Sequence, residues 1–280
     1  MKNFNLYTPK LYATSLELRC KSIQALLTQH ADKLQWRGGE RIMDIGCGLG
    51  DIVRRVILPM LPPDYTKLVC VDASTVMLNE AQNELKSFRN IEFLEMDFEA
   101  DLNESLTGSF DRIFSTLCFM YLADQRKAFE NVFNLLAPGG DCFIMFLSTG
   151  IIFETFFQLA ETPKWKEQLK HLREIYVFPY REDPDPERTL TNLLTSIGFK
   201  DVFVKKEDFF HLYPNVEKLT ENIKTMLDFP NSMTNKEREE LLEDQIKTAI
   251  SFNVVEGCRD ESKPLLRPRH ETLTVYAKRP

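Results

Sequence analysis

The chain has 280 residues, 43% hydrophobic and 28% charged, which is enough apolar material for a substantial core and too much for a disordered chain. Eleven glycines and fourteen prolines exclude a collagen-like or linker-dominated sequence. With 35 basic and 42 acidic side chains the formal charge is −7. That argues against nucleic acid as a partner, since phosphate binding rests on an excess of Lys and Arg.

Residues 1–35 carry an amphipathic stripe of Leu16, Ile23, Leu26 and Leu27 and read as an amino-terminal helical cap segment. Short apolar β-type runs follow at Arg41–Ile45, Lys67–Val71, Ile91–Glu95, Arg112–Ser115 and Cys142–Leu147. They are continuous rather than alternating, as strands covered on both faces are. Between the last two, Asp124 caps a helix with the stripe Ala128, Phe129, Val132, Phe133 and Leu136, ended by Pro138-Gly139-Gly140. The repeat of strand and helix predicts an α/β, doubly wound sheet with right-handed crossovers. Phe203–Phe210 and Thr272–Ala277 read as antiparallel strands closing one edge, giving a mostly parallel seven-stranded sheet with a helical cap. Helical insertions at about 151–200, broken by Pro179 and the Arg181–Pro186 loop, and at about 215–255, broken at Pro230, complete a single domain.

The six cysteines, at 20, 47, 70, 118, 142 and 258, include no Cys-x-x-Cys pair. They read as reduced thiols rather than a disulfide framework or a zinc site, and no metal is expected. The first seven residues, Met1 to Tyr7, lack the apolar run of a secretory signal. Cys142 to Ala160 is very apolar, but Ser148-Thr149-Gly150 divides it into pieces shorter than the roughly 20 residues a membrane span needs. A soluble, cytoplasmic protein without a membrane span is expected.

The most informative segment is Met43-Asp44-Ile45-Gly46-Cys47-Gly48-Leu49-Gly50-Asp51, where the first strand turns into the first helix. In an open α/β sheet this turn borders the ligand crevice. The spacing is Gly-x-Gly-x-Gly, not the Gly-x-Gly-x-x-Gly of dinucleotide binders, and no Gly-Lys-Ser/Thr follows to cradle phosphate. Asp44 lies where a pyrophosphate would be repelled and a cationic ligand welcomed. Asp72 ends the second strand, where a carboxylate can accept two hydrogen bonds from a ribose diol, roughly 1.5–3 kcal/mol each. Asp97 ends the third, placed to accept from an adenine amino group beside Phe98. Singly, each Asp is equally a helix cap or turn residue. Together they describe a site for a phosphate-free nucleoside with a cationic tail.

From Trp36 to Leu147, including the Asn134–Gly140 turn, the sequence resembles the class I S-adenosylmethionine-dependent methyltransferases. The resemblance implies a Rossmann-like fold, a methyltransferase domain over residues 36–280, and S-adenosyl-L-methionine as cofactor. It implies that the donor is held by Asp44, Gly46, Cys47, Gly48, Gly50, Asp72, Ala73, Met77, Asp97, Phe98 and Ser115. Leu34-Gln35-Trp36, Asp111–Ser115, Asp124–Phe129, Asn131–Leu136, Gly140-Asp141-Cys142, Lys164-Trp165 and Val275–Lys278 are similar to the insect juvenile hormone acid methyltransferases. That similarity implies a carboxyl O-methyltransferase acting on a small apolar acid, such as farnesoic acid or a juvenile hormone acid.

The sequence departs from that family at two places. Met120 stands where the family has His, and Tyr121 where it has Trp. The Gln of the family's first helix falls at Glu17 or Arg19; Arg19 suits an acid and Glu17 repels it. Met120, Tyr121, Glu17 and Arg19 are therefore the positioning candidates, and Phe119, Tyr121 and Trp165 the substrate-binding ones. Phe119, Ile151, Phe153, Phe156 and Phe157 read equally as ordinary core. A carboxylic acid with a pKa near 4 is ionised at neutral pH and needs no general base. None of His30, His171, His211 and His270 falls near the fourth strand, which favours a carboxylate or a soft acceptor. Methylation of nitrogen, carbon or a phenol, and a catalytically silent cofactor-binding module, stay open as alternatives; the glycine spacing and Asp44 disfavour a nicotinamide-dependent dehydrogenase.

Overall fold

The computed structural model describes residues 16–210, 213, 215–226, 233–251 and 269–280. The expectations over residues 1–15, at Pro230 and at 252–255, and the side chains of Leu16 and Glu17, lie outside the described residues. Seven strands form one sheet: β1 (Arg41–Ile45), β2 (Lys67–Asp72), β3 (Ile91–Glu95), β4 (Phe110–Thr116), β5 (Leu136–Gly150), β6 (Lys200–Phe210) and β7 (Arg269–Lys278), in the order β3-β2-β1-β4-β5-β7-β6. The pairs β1–β2, β2–β3, β1–β4 and β4–β5 are parallel, and β7 runs antiparallel to both β5 and β6. The chain steps outward from β1 to β3 and then returns to β4. The carboxyl ends of β1 and β4 therefore border the switch-point crevice where ligands of such sheets bind.

Burial follows this order. Cys142 to Phe146 of β5 are fully covered, whereas the edge strand β3 is half-exposed along its length. The sheet is flanked by α1 (Leu16–Gln29), α2 (Thr75–Leu85) and α3 (Gln125–Leu135), and the glycine loop leads into a π-helical turn at Val53–Ile57. Ser74 Oγ caps α2 by accepting from Met77 N, and Asp124 Oδ1 caps α3 by accepting from Lys127 N at 2.9 Å. Beyond β5 come α4 (Ile151–Ala160), α5 (Lys166–Leu169), α6 (Leu172–Ile175) and α7 (Pro186–Ile197), then α8 (Val216–Met226) and α9 (Asn235–Ser251). Helices α5, α6 and α9 each pack on α4 as the cap, whereas α7 lies against α3 and β6 as a crossover helix. Among the described residues no helix is long and apolar enough to cross a membrane.

Two strands are longer than their apolar runs. β5 begins at Leu136, and the Pro138-Gly139-Gly140 turn is a bulge inside it, with the register passing from Phe110↔Leu136 to Arg112↔Asp141. Gly139 N donates to Arg279 O at 2.9 Å, so the end of β7 pairs with the bulge. β6 begins at Lys200, with a register shift around Asp201, whose φ is +50°.

The register Arg112↔Asp141 places opposite charges side by side between β4 and β5. Arg112 Nε and Nη2 donate to the two oxygens of Asp141 at 2.6 and 2.8 Å, Nη2 also reaches Gln35 O, and the guanidinium lies over the Trp36 ring. Both side chains are almost wholly buried. Breaking such a pair strands a charge, so Asp141→Asn is expected to cost about 3–5 kcal/mol of unfolding free energy. Chemical denaturation checks this, and Arg112→Met with Asp141→Leu should recover most of the loss, because no ion is left buried.

Candidate functional site

The glycine loop is fastened to the end of β2. Gly46 N and Cys47 N both donate to Val71 O, at 2.7 and 2.9 Å. Gly48 N donates to Asp72 Oδ2 at 3.0 Å, and Ser74 N to Asp72 Oδ1 at 2.9 Å. One carboxylate therefore sets both the loop and the entry to α2, and each oxygen retains a lone pair for a further donor. Burial raises the Asp72 carboxyl, against the pull of these N–H groups.

Gly46 is required twice over. Its φ is +74°, and a Cβ there would lie 2.5 Å from both Cβ and Sγ of Cys118, the residue that follows β4 by two. The two lips of the crevice thus touch at Gly46 and Cys118. Cys47 is buried, and a hydrogen bond with Cys70 followed by burial raises its thiol well above the usual range. Ser115 is fully buried, and its Oγ donates to Ile45 O at 2.8 Å, tying β4 to the end of β1. Ala73 and Met77 are half-exposed at the start of α2. Asp97 is half-buried and accepts from Glu99 N at 3.0 Å, whereas the Phe98 ring is packed in the core, its carbonyl held by Asn131 Nδ2 at 2.9 Å.

Three carboxylates gather around this loop. Asp44 is 1% exposed, and among the described residues its Oδ1 has no hydrogen-bond partner. Burial holds its carboxyl well above the usual range, and Asp72 and Asp51 push it the same way. Asp51, also buried, is raised by burial and lowered by Arg19 of α1. Cys20 Sγ donates to Asp51 Oδ2 at 3.8 Å, and its thiol is raised to about 11. Arg19 is itself buried and also acts on the buried Tyr213 phenol. Asp51 and Tyr213 escape the sequence reading. Asp51 adjoins the loop and was within reach of it, while Tyr213 sits outside any periodic element.

On the β4 side, Leu117 has φ +56° and its N–H donates to Met145 O at 2.7 Å, a strained turn held by the sheet. Phe119 packs between Phe129 and Phe146, centroids 4.9 and 6.1 Å away, and is core. Met120 is buried and Tyr121 half-exposed, 6.3 Å from the Tyr176 ring. Trp165 is buried in the cap, with Nε1 donating to Asp244 Oδ2 of α9 at 2.9 Å. The structure brings Asp44, Asp72 and the glycines together, and sets Met120 and Tyr121 on the turn whose Cys118 meets Gly46. Trp165 instead stands at the start of α5 and is bonded to α9. Among the described residues no cluster of three or more His, Cys, Asp or Glu could hold a metal ion.

Residues 42–140 match the family model described as a methyltransferase domain. With the sheet order, the glycine loop and its acidic surround, this marks an S-adenosylmethionine-dependent methyltransferase that resembles the class I enzymes. It is 29% identical over 272 residues to the juvenile hormone acid O-methyltransferase of Bombyx mori, covering 96% of each chain. To that of Drosophila melanogaster it is 28% identical, over 96% of this chain and 91% of the relative. The fold also matches Haemonchus contortus phosphoethanolamine N-methyltransferase 2, with a TM-score of 0.59 and 17% identity over 99% of this chain; it spans 59% of the length of that structure.

Gly46→Ala is expected to cost about 1–2 kcal/mol from its backbone conformation alone, and more from displacing Cys118. It should abolish binding of S-adenosylhomocysteine. Thermal unfolding and calorimetry measure both, and adding Cys118→Gly should restore only part of the stability, because the φ angle is unchanged.

Proposed function

We propose that this chain is an S-adenosylmethionine-dependent carboxyl O-methyltransferase of a small apolar acid, of the kind the juvenile hormone acid enzymes are named for. The carrying observation is the buried, unpartnered Asp44 oxygen among three carboxylates. Such a cluster is costly until a cation arrives, and the donor's α-amino group and sulfonium are cations. The donor, when bound, supplies an electrophilic methyl whose carbon–sulfur bond breaks as an acceptor atom attacks. Asp44 would face the cationic tail, Asp72 the ribose diol, Asp97 the base, and the Gly46–Gly50 backbone would close over the tail.

On the acceptor side an ionised carboxylate needs no proton removed, so the residues of the site have to desolvate and align it. Met120 and Tyr121, after β4, offer an apolar wall and a phenol. Arg19, the buried cation beside Asp51, would hold the acid. Among the described residues, neither His30, bound to Glu207 at 2.7 Å, nor His270, buried between β5 and β6 where burial lowers it to about 4, supplies a base here. The free cysteines among the described residues accord with a cytoplasmic location.

Calorimetry with S-adenosylmethionine should show binding that Asp72→Ala weakens at least about tenfold. A cationic ligand favours ionised Asp44, whose carboxyl is raised in the free protein. Affinity should therefore rise with pH through the range where Asp44 loses its proton, and Asp44→Asn should flatten that rise. No binding by the wild type at any pH ends this reading.

A panel of apolar acids, phenols and amines with labelled donor tests the acceptor. Acids should turn over, and Arg19→Met should raise KM for the acid by about tenfold or more while donor affinity holds. Loss of donor affinity instead would assign Arg19 to the donor's own carboxylate. Donor binding without turnover of any acid would make the chain a binding module.

A further inference from the structure

The segment from Tyr176 to Glu182, which joins α6 to α7, crosses the turn after β4. Phe178 N donates to Met120 O at 3.0 Å, and Phe178 holds φ +42°. A bulky residue persists in that conformation only where its surroundings over-determine it. Here they do: the Phe178 ring lies 4.7 Å from that of Phe153 and perpendicular to that of Phe157 at 6.3 Å, both on α4. Tyr176 packs on Phe153 at 5.1 Å and faces Tyr121.

Against this segment opens a hollow of about 220 Å³, walled by Phe157, Tyr176, Phe178 and Pro179, with Arg181 and Glu182 on its polar side. The charges there answer one another. Arg181 Nε and Nη2 each donate to Glu154 at 2.7 Å, Nη1 donates to Glu182 at 3.0 Å, and the guanidinium lies over the Phe157 ring. The Arg181 cation is thus already matched by two carboxylates, which leaves the aromatic walls as the feature a ligand would use. The volume falls short of the roughly 300–1,000 Å³ of a complete small-molecule site, so the hollow holds part of a ligand at most.

We propose that this hollow receives the apolar tail of the acceptor acid and that Phe178 sets the tail length accepted; this rests on the carboxyl methyltransferase reading above. The ring of Phe178 forms one wall of the hollow, and its N–H fixes that wall to the carbonyl of Met120, beside the reacting end. Removing the ring deepens the hollow without touching the donor crevice.

The test is kcat/KM of the full chain on apolar acids graded in tail length, together with calorimetric binding of the same acids in the presence of S-adenosylhomocysteine. Phe178→Ala and Phe157→Ala should each raise the long-to-short ratio of kcat/KM by about tenfold, with donor affinity unchanged. Phe178→Leu should move it less, in the same direction. Phe178→Gly, which also relieves the backbone, should match Phe178→Ala, separating the ring from the conformation. A loss equal for all acids, or an unchanged length dependence of both turnover and binding, overturns the assignment. Should no acid be methylated while the variants still shift the length dependence of binding, the reaction proposed above fails and the hollow stands.

Discussion

Everything at the centre of this molecule is organised around negative charge kept out of water at the carboxyl ends of adjacent strands. Asp44, Asp51 and Asp72 crowd one loop, two of them buried and all three raised by burial. Burying an unmatched carboxylate costs several kcal/mol or forces it to take up a proton. The fold tolerates this because Asp72 is answered by backbone N–H groups and Asp51 by Arg19, leaving Asp44 for whatever enters. The parallel arrangement makes the crowding unavoidable. Every strand from β1 to β3 delivers its last residue to the same edge, and the switch between β1 and β4 leaves that edge open.

The sheet and the cap divide the work. The sheet is tied together by groups that never meet solvent, such as the Arg112–Asp141 pair and Ser115 on Ile45. The cap is tied by polar side chains between helices: Gln245 of α9 donates to Ile152 O at 2.9 Å and also bonds to Thr155 Oγ1, and Trp165 and Lys164 share Asp244. Helix α1 spans the sheet from the glycine loop to its far edge. At its start Cys20 meets Asp51, and at its end Gln29 and His30 grip Glu207 of β6, with His30 tilted against Phe143 and Phe203. The first described helix therefore fixes both the glycine loop and the far edge of the sheet.

The sheet was legible in the sequence because its signals are local. Continuous apolar runs gave β1 and β3 to the residue, and an acid at or near the end of each of β1, β2 and β3 marked the crevice. The places where reading and structure part are places where pairing partners, not residue types, decide. Leu136 joins β5 only because Phe110 lies opposite, and the glycines between serve as a bulge instead of a boundary. Lys200 joins β6 because Lys278 is its neighbour. The proposed donor site reads in the sequence as glycines and acids at fixed spacing, whereas Ser115 and Phe98 turn inward to backbone and core, which no spacing reveals. The acceptor side is harder still. Tyr176 and Phe178 reach Phe153 and Tyr121 across tens of residues of chain, and no period in the sequence announces that meeting.

Strand β5 passes into α4 with no intervening loop. Gly150 is both the last residue of the strand and the cap of the helix, and a side chain there would strike the ring of His270 on β7. Domain motions need a few residues whose torsions can turn freely, and this junction, locked by a neighbouring strand, has none to lend. Phe153 and Phe157 therefore stand at a fixed height above the sheet, like teeth on a jaw that does not open. A change in the space beside that helix must come from carving its side chains, not from swinging it away, so a lineage built on this scaffold would vary by small volume changes at a few aromatic positions.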